Sequence, residues 1–344
     1  MPVRAVRPST RRVRHLVLGL LGLLVIVTSS VLLGAIDIGP QRVLGEIVAE
    51  LTGGTSPLTR FESTILWQLR VPRVALGMLV GAALAGSGAA YQGVFRNPLA
   101  DPYLLGVAAG AGMAATIVLV VAPGIAGWAL PPAAFVGALS GVALTWLLGR
   151  STGGRASSAS LLLAGIAVAS FLTAVQTFVQ QLGTNSLLQV YSWTLGSLGR
   201  ADWGGVLRVL PYVLGAALLL CLGARLLDVL TLGDEEARAL GLRPGWVRLA
   251  ILGSASLATA AAVSAAGLIG FVGIVVPHVV RLLCGASYRI VVPLSLLGGA
   301  AFLLVADMVA RTALAPAELP IGVVTAFTGA PFFVLVLRSA TQSV

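Results

Sequence analysis

The polar and acidic side chains that fall inside long apolar runs are the first candidates for chemistry. Asp307 lies deep in such a run, and an acid in lipid is by default a functional group, a proton carrier or the partner of a cation. Arg311 stands four residues on, on the same helical face, so an internal ion pair is the reading for Asp307. Ser170, Thr173, Gln176, Thr177 and Gln180 recur at steps of three and four and make one polar stripe along an otherwise apolar helix. Lipid cannot face that stripe cheaply; a water-filled path is its expected neighbour, with interhelical hydrogen bonding as the alternative. His278 comes directly after Pro277 inside an apolar run and is expected to cap the carbonyls that the proline frees. His15 and His278 lie far apart in the chain, and no HExxH, GxSxG or paired-carboxylate site accompanies them, so no catalytic constellation is present and the chain is read as a non-enzyme. Cys221 and Cys284 have neither CxxC nor metal-ligand spacing, which implies no disulfide framework and no zinc site.

The elements that must position these groups are transmembrane helices. Of 344 residues, 58% are hydrophobic and 10% charged, against roughly 25% charged in an ordinary soluble domain. The mean hydropathy of +0.99 excludes a water-soluble fold. Glycine, 42 residues, falls mostly inside the apolar runs, where small residues let helix backbones approach. Gly77/Gly81, Gly106/Gly110 and Gly137/Gly141 each form a GxxxG and are candidate packing faces. All 22 basic residues are arginine. Without lysine there is no standard Walker A site, so any ATPase that drives this chain is another subunit.

Apolar runs of the length that crosses hydrocarbon, about 20 residues, fall at 16–36, 64–95, 103–122, 130–149, 160–181, 206–227, 247–267, 269–284, 291–311 and 321–338. The expectation is an all-α polytopic membrane protein of about ten helices. Residues 1–15 read as an arginine-rich cytoplasmic tail, 16–338 as one transmembrane domain with a cytoplasmic segment at 228–246, and 339–344 as a second tail. The first run has no AxA-like cleavage site and is read as a retained helix. Alternating the crossings from a cytoplasmic N-terminus puts 15 arginines inside, and Arg42, Arg60, Arg70, Arg73, Arg200, Arg208 and Arg311 outside.

Three connecting features stand out. Arg96-Asn97-Pro98-Leu99-Ala100-Asp101-Pro102 reads as a rigid turn in which Asn97 and Asp101 cap the next helix. Leu232-Gly233-Asp234-Glu235-Glu236-Ala237-Arg238-Ala239-Leu240-Gly241 has acids in its first turn, an Asp234/Arg238 pair and a terminal glycine, which specify a two-turn surface helix in need of a docking surface. Arg70 and Arg73 flank Pro72, and with Arg311 they make a charge pattern suited to an acidic partner.

LRVPR at 69–73, GAALAGSGAAYQGVFRNPLADPYLLGV at 81–107, LLLAG at 161–165, LGDEEARALGL at 232–242, GLIGFVGIVVPHVVR at 267–281 and ADMVARTALAPAELPIGVVTAFTGAPFF at 306–333 together resemble the FecCD-type permeases. These are the transmembrane subunits of bacterial ABC importers for iron-siderophores, haem and vitamin B12. The resemblance implies a type II ABC importer permease fold in the cytoplasmic (inner) membrane, both termini cytoplasmic, moving its cargo by alternating access. It also implies a second permease subunit, two cytoplasmic ATPases that carry the ATP and Mg, an extracytoplasmic substrate-binding protein, and no cofactor on this chain. Iron-siderophore is the expected cargo, with vitamin B12 or haem as alternatives and a proton-coupled carrier using Asp307 as a remote one. By the same resemblance Leu232, Gly233, Asp234, Glu235, Glu236, Arg238, Leu240 and Gly241 couple to the ATPase. Arg70, Arg73 and Arg311 receive acidic residues of the binding protein, Ser157 and Ser158 belong to a cytoplasmic gate, and the Ser170 to Gln180 stripe lines the path.

Overall fold

A computed structural model describes residues 8–34, 36, 38–151, 158–183 and 186–341. The helices are α1 (Pro8–Leu32), α2 (Pro40–Thr52), α3 (Arg60–Thr64), α4 (Val71–Phe95), α5 (Val107–Val121), α6 (Ala126–Ser151), α7 (Ser158–Leu182), α8 (Leu187–Thr194), α9 (Trp203–Leu230), α10 (Asp234–Ala239), α11 (Pro244–Ala266), α12 (Val272–Cys284), α13 (Tyr288–Thr312) and α14 (Ile321–Thr341). Among the described residues seven helices are long and apolar enough to span a bilayer, and three shorter apolar ones, within α5, α12 and α14, bring the set to the ten expected.

The overlong second run is resolved by a change of helix type. Residues Ile65–Arg70 form a π-helical turn joining α3 to α4, immediately ahead of Pro72. The wider turn sits where proline withholds an N–H from the ladder. From there α4 runs through the centre of the bundle, packed on α9, α11, α12 and α13, whereas α1 lies at the periphery against α13.

Glycine sets how closely these helices approach. A side chain at Gly110 would strike the Gly137 carbonyl, and one at Gly137 or Gly141 the carbonyl of Gly110 or Gly106, so the two GxxxG faces of α5 and α6 are packed on each other. Gly81 of α4 meets Gly299 of α13 in the same way. With no hydrophobic drive between helices in lipid, backbone contact of this kind is the available dispersion gain.

Helix α12 is only 13 residues long, about 20 Å at 1.5 Å per residue. The irregular stretch 267–271 precedes it, and its backbone groups must be satisfied by protein. Tyr103 does so: its hydroxyl donates to the Ile269 carbonyl and accepts from the Ile269 N–H, both at 3.0 Å. Ser197 N–H donates to Ala266 O at 2.8 Å, tying the end of α11 to the loop before α9, and Gly322 N–H donates to Leu195 O at 3.0 Å, tying that loop to the start of α14.

Two helices escaped the search for long apolar runs. α2 carries the signals of a short helix, Pro40 at its start and Gly53 as a left-handed C-cap (φ 70°). α8 has only eight residues. The first helix starts at Pro8, before the 16–36 run. His278 does not cap freed carbonyls: its Nδ1 has no hydrogen-bond partner, and the ring packs edge-on against Phe332 at 5.7 Å.

Candidate functional site

The Asp234 to Gly241 segment folds as a short helix closed at both ends. Gly233 precedes α10 at φ 144°, a backbone that disfavours any side chain, and Glu236 folds back over it. Gly241, at φ 82°, ends the helix with Leu242 N–H on Ala237 O at 2.9 Å and Gly241 N–H on Arg238 O at 2.8 Å, the pattern of a Schellman cap. Asp234, Glu235 and Glu236 fill the first turn and Arg238 the last, each sign placed where the helix dipole favours it. Ala237 is fully buried and keys the helix into the main core. Leu232 and Leu240, each 62% exposed, and the exposed Glu235, Glu236 and Arg238 face outward, beside an exposed Trp246.

Asp234 is anchored. Its Oδ1 accepts from Arg96 Nη2 at 2.6 Å and from Arg248 Nη2, and Arg96 Nε also donates to Leu230 O at 2.9 Å. Burial alone would raise the Asp234 carboxyl, but the hydrogen bonds and charges of Arg248 and Arg96 outweigh it and hold it below the usual carboxylate range. At the same end Asp228 of α9 accepts from Tyr288 N–H at 2.6 Å and Ser287 Oγ at 2.8 Å, fixing the start of α13. Arg281 donates to Gln92 Oε1 at 2.9 Å and to the Tyr288 hydroxyl at 3.2 Å. None of these ties was read from the sequence, since the partners lie on different helices; polar residues at the ends of apolar runs were the only signal. Asp101 caps the short 3-10 turn Pro102–Leu105 through Tyr103 N–H at 2.8 Å, whereas Asn97 only closes the preceding turn, through Leu99 N–H at 2.9 Å. The following helix α5 has Gly106 at its N-cap with no side-chain cap, which corrects the expectation that both residues cap it.

The opposite end holds Arg70, Arg73 and Arg311, all three engaged by partners within the chain. Arg70 and Arg311 are 5% and 3% exposed. Arg70 donates to the carbonyls of Val31, Leu32 and Ile36, and Arg311 to the Ser30 carbonyl and hydroxyl at 2.7 and 2.8 Å. Arg73 forks onto Asp307, with Nη2 at 2.8 Å and Nε at 3.0 Å from Oδ1, and reaches Glu318 at 2.7 Å. Burying three cations requires this much internal satisfaction. Only Arg73, through its contact with the half-exposed Glu318, reaches the rim. Asp307 is ion-paired as expected, but Arg73 is its principal partner, while Arg311 Nε stands at 3.4 Å. Above this network α2 and the π turn form a small outer cap, in which the buried Glu46 accepts from Ser56 and, at 3.2 Å each, from Ser63 and Trp67 Nε1.

The polar stripe of α7 runs from the exposed surface of the bundle to a groove against α5 and α8. Ser170, Thr173 and Thr177 are exposed, while Gln176 and Gln180 are half-buried and line a groove of about 400 Å³ with Leu187, Val190, Tyr191 and Thr194. Gln176 reaches across α5 at Gly112, where a side chain would meet its Oε1 at 2.8 Å. Ser157 lies outside the described residues, and Ser158 is the first residue of α7.

The long apolar helices, with a short amphipathic helix at one end of the bundle, define a polytopic membrane protein. The FecCD transport family matches residues 22–339, and the chain belongs to that family of ABC permeases. The "Uncharacterized ABC transporter permease protein YvrB" of Bacillus subtilis is 42% identical over 80% of this chain and 79% of its own length. The hemin transport system permease protein HmuU of Yersinia pestis is 40% identical over 80% and 84%. The vitamin B12 import system permease protein BtuC of Klebsiella pneumoniae is 42% identical over 80% and 82%. A solved structure described as an inward-facing conformation of a metal-chelate type ABC transporter superposes with a TM-score of 0.81 at 27% identity, covering 94% of this chain and 98% of the other. The chain is therefore a multi-pass bacterial ABC importer permease, works with ATPase and binding-protein partners, and is not itself catalytic.

Proposed function

We propose that this permease forms, with a second permease subunit, the translocation path for an iron-siderophore complex. Separate ATPases drive it by alternating access. The observation that carries the reading is the α10 segment: a short helix keyed into the core by Ala237, with Leu232, Glu235, Glu236, Arg238 and Leu240 turned outward. A helix of six residues is marginal alone, and its outward face suits a cleft on a soluble motor. The termini and α10 then lie on the cytoplasmic side, and the arginine bias supports that orientation. The second subunit covers the exposed stripe of α7, so that Ser170, Thr173, Gln176, Thr177 and Gln180 line the path, with Ser157 and Ser158 at its cytoplasmic gate. The binding protein meets the opposite end, where its acidic residues compete with Glu318 for Arg73. Relatives named for hemin and vitamin B12 favour a second reading for the cargo, since both are large metal chelates.

The test is transport by the permease reconstituted with its ATPase and binding protein, offered radioiron-labelled ferric hydroxamate, hemin and cyanocobalamin in parallel. ATP-dependent uptake of the siderophore is expected; uptake of hemin or cyanocobalamin alone reassigns the cargo. Glu235→Arg with Glu236→Arg is expected to abolish ATPase association and uptake. Unaltered association would remove the coupling assignment.

A further inference from the structure

We infer that Arg96 and Arg248 are positioning residues that carry the motion of α10 into the centre of the bundle, through the one Asp234 oxygen they share. The inference rests on the coupling role proposed for α10. The connections between α10 and the rest of the chain are limited: the buried Ala237, the covalent links to α9 and α11, and this carboxylate. An apolar knob can rock in its hole, whereas charge-assisted hydrogen bonds have direction as well as energy. Arg96 is the C-cap of α4, held at φ 51°, a left-handed conformation uncommon for a residue with a side chain. That conformation lets its guanidinium reach both the end of α9, at Leu230 O, and the start of α10, at Asp234. Arg248 comes from α11 and is 8% exposed. A displacement of Asp234 is thereby delivered to α9, to α11 and to α4, which packs on α9, α11, α12 and α13.

Magnitudes separate this role from a structural one. Asp234 and Arg96 are 33% and 40% exposed, and half-exposed ion pairs contribute little to stability. Losing Arg96 therefore leaves the fold intact and disturbs transmission. The same joint lies between the bundle on which a binding protein docks and the helix that meets the ATPase, so losing it weakens the effect of the docked protein on hydrolysis.

The experiment uses the complete complex in proteoliposomes and reads ATP hydrolysis with and without the binding protein, which needs no identified cargo. Arg96→Gln and Arg248→Gln are expected to retain the ATPase on co-purification while binding-protein stimulation of hydrolysis falls roughly fivefold or more. Arg248→Lys, which keeps the charge, is expected to recover most of it. Stimulation equal to wild type in Arg96→Gln overturns the inference, and so does equal loss in Arg248→Lys and Arg248→Gln. Should Arg248→Gln fail to assemble, the more exposed Arg96 variant decides alone. Absence of any stimulation or ATPase retention in the wild-type complex would instead refute the coupling role of α10.

Discussion

Asp307→Ala tests whether the buried acid is a structural partner or a carrier of protons. The Asp307 side chain is 1% exposed, and it takes Arg73 at 2.8 Å and Arg311 at 3.4 Å. Removing one member of a buried ion pair costs about 3–5 kcal/mol, because the other charge stays behind without compensation. Two features move the expectation to the lower end. Arg73 retains Glu318, and Arg311 retains the Ser30 carbonyl and hydroxyl. The expected loss is therefore about 3 kcal/mol. Asp307→Asn keeps an acceptor for Arg73 and loses only the charge, so its expected loss is smaller, about 1–2 kcal/mol. The assay is reversible unfolding of the purified permease in mixed micelles, with ATP-driven uptake measured on the same preparations. A stable Asp307→Ala protein, within about 0.5 kcal/mol of wild type, would refute the ion-pair reasoning, and doubly so if its transport were abolished.

Particular contacts set further outcomes. Gly110→Leu must separate α5 from α6 because the Gly137 carbonyl occupies the side-chain position, and a loss of about 3 kcal/mol or failure to fold is expected; Gly215→Ala in α9, which meets nothing within 4 Å, should be neutral or stabilise by up to about 1 kcal/mol, both measured by unfolding in micelles. In the outer cap, Glu46→Ala leaves the Ser63 and Trp67 donors without this acceptor, and Ser56 with only the Leu58 carbonyl at 3.4 Å, and should cost about 2–3 kcal/mol locally, read as faster amide exchange over residues 40–66. The hydrogen bond from Ser56 first, with those from Trp67 and Ser63, sets the Glu46 carboxyl below its ordinary 4.5. Its folded value is depressed, so this contribution is fully present above pH 4.5 and is lost as the pH falls through the lower folded value; exchange in the cap should accelerate in that acid range and should not do so in Glu46→Gln. In a Cys221→Ala, Cys284→Ala background, Thr173→Cys and Thr177→Cys should react with a membrane-impermeant thiol reagent in the assembled complex. No reaction at either position would mean that the stripe is packed against protein rather than lining a water-filled path.

The features legible ahead of the structure were local. The GxxxG faces of α5 and α6, the α10 helix with its Gly241 stop, and the rigid turn held by Asn97 and Asp101 each depend on residues within a turn or two. The ten apolar helices came from run length, though the π turn before Pro72 and the irregular 267–271 stretch, both hidden inside such runs, did not. The arginines show the limit most clearly. Arg311 announced its tie to Asp307 by spacing, but the stronger partner, Arg73, is 234 residues away in the chain. Nothing in the order of residues says that α4 and α13 pack at Gly81 and Gly299, and it is that contact which pairs Arg73 with Asp307 and neutralises its charge. For the same reason the partners of Arg96, Arg248 and Asp228 were not legible.

The measurement that bears most directly on the whole account is uphill uptake by this permease in vesicles, made with and without its ATPase. Accumulation of a metal chelate only when the ATPase, ATP and the binding protein are all present is the predicted result. Accumulation by the permease alone, driven by a proton gradient and abolished by Asp307→Asn, would contradict it.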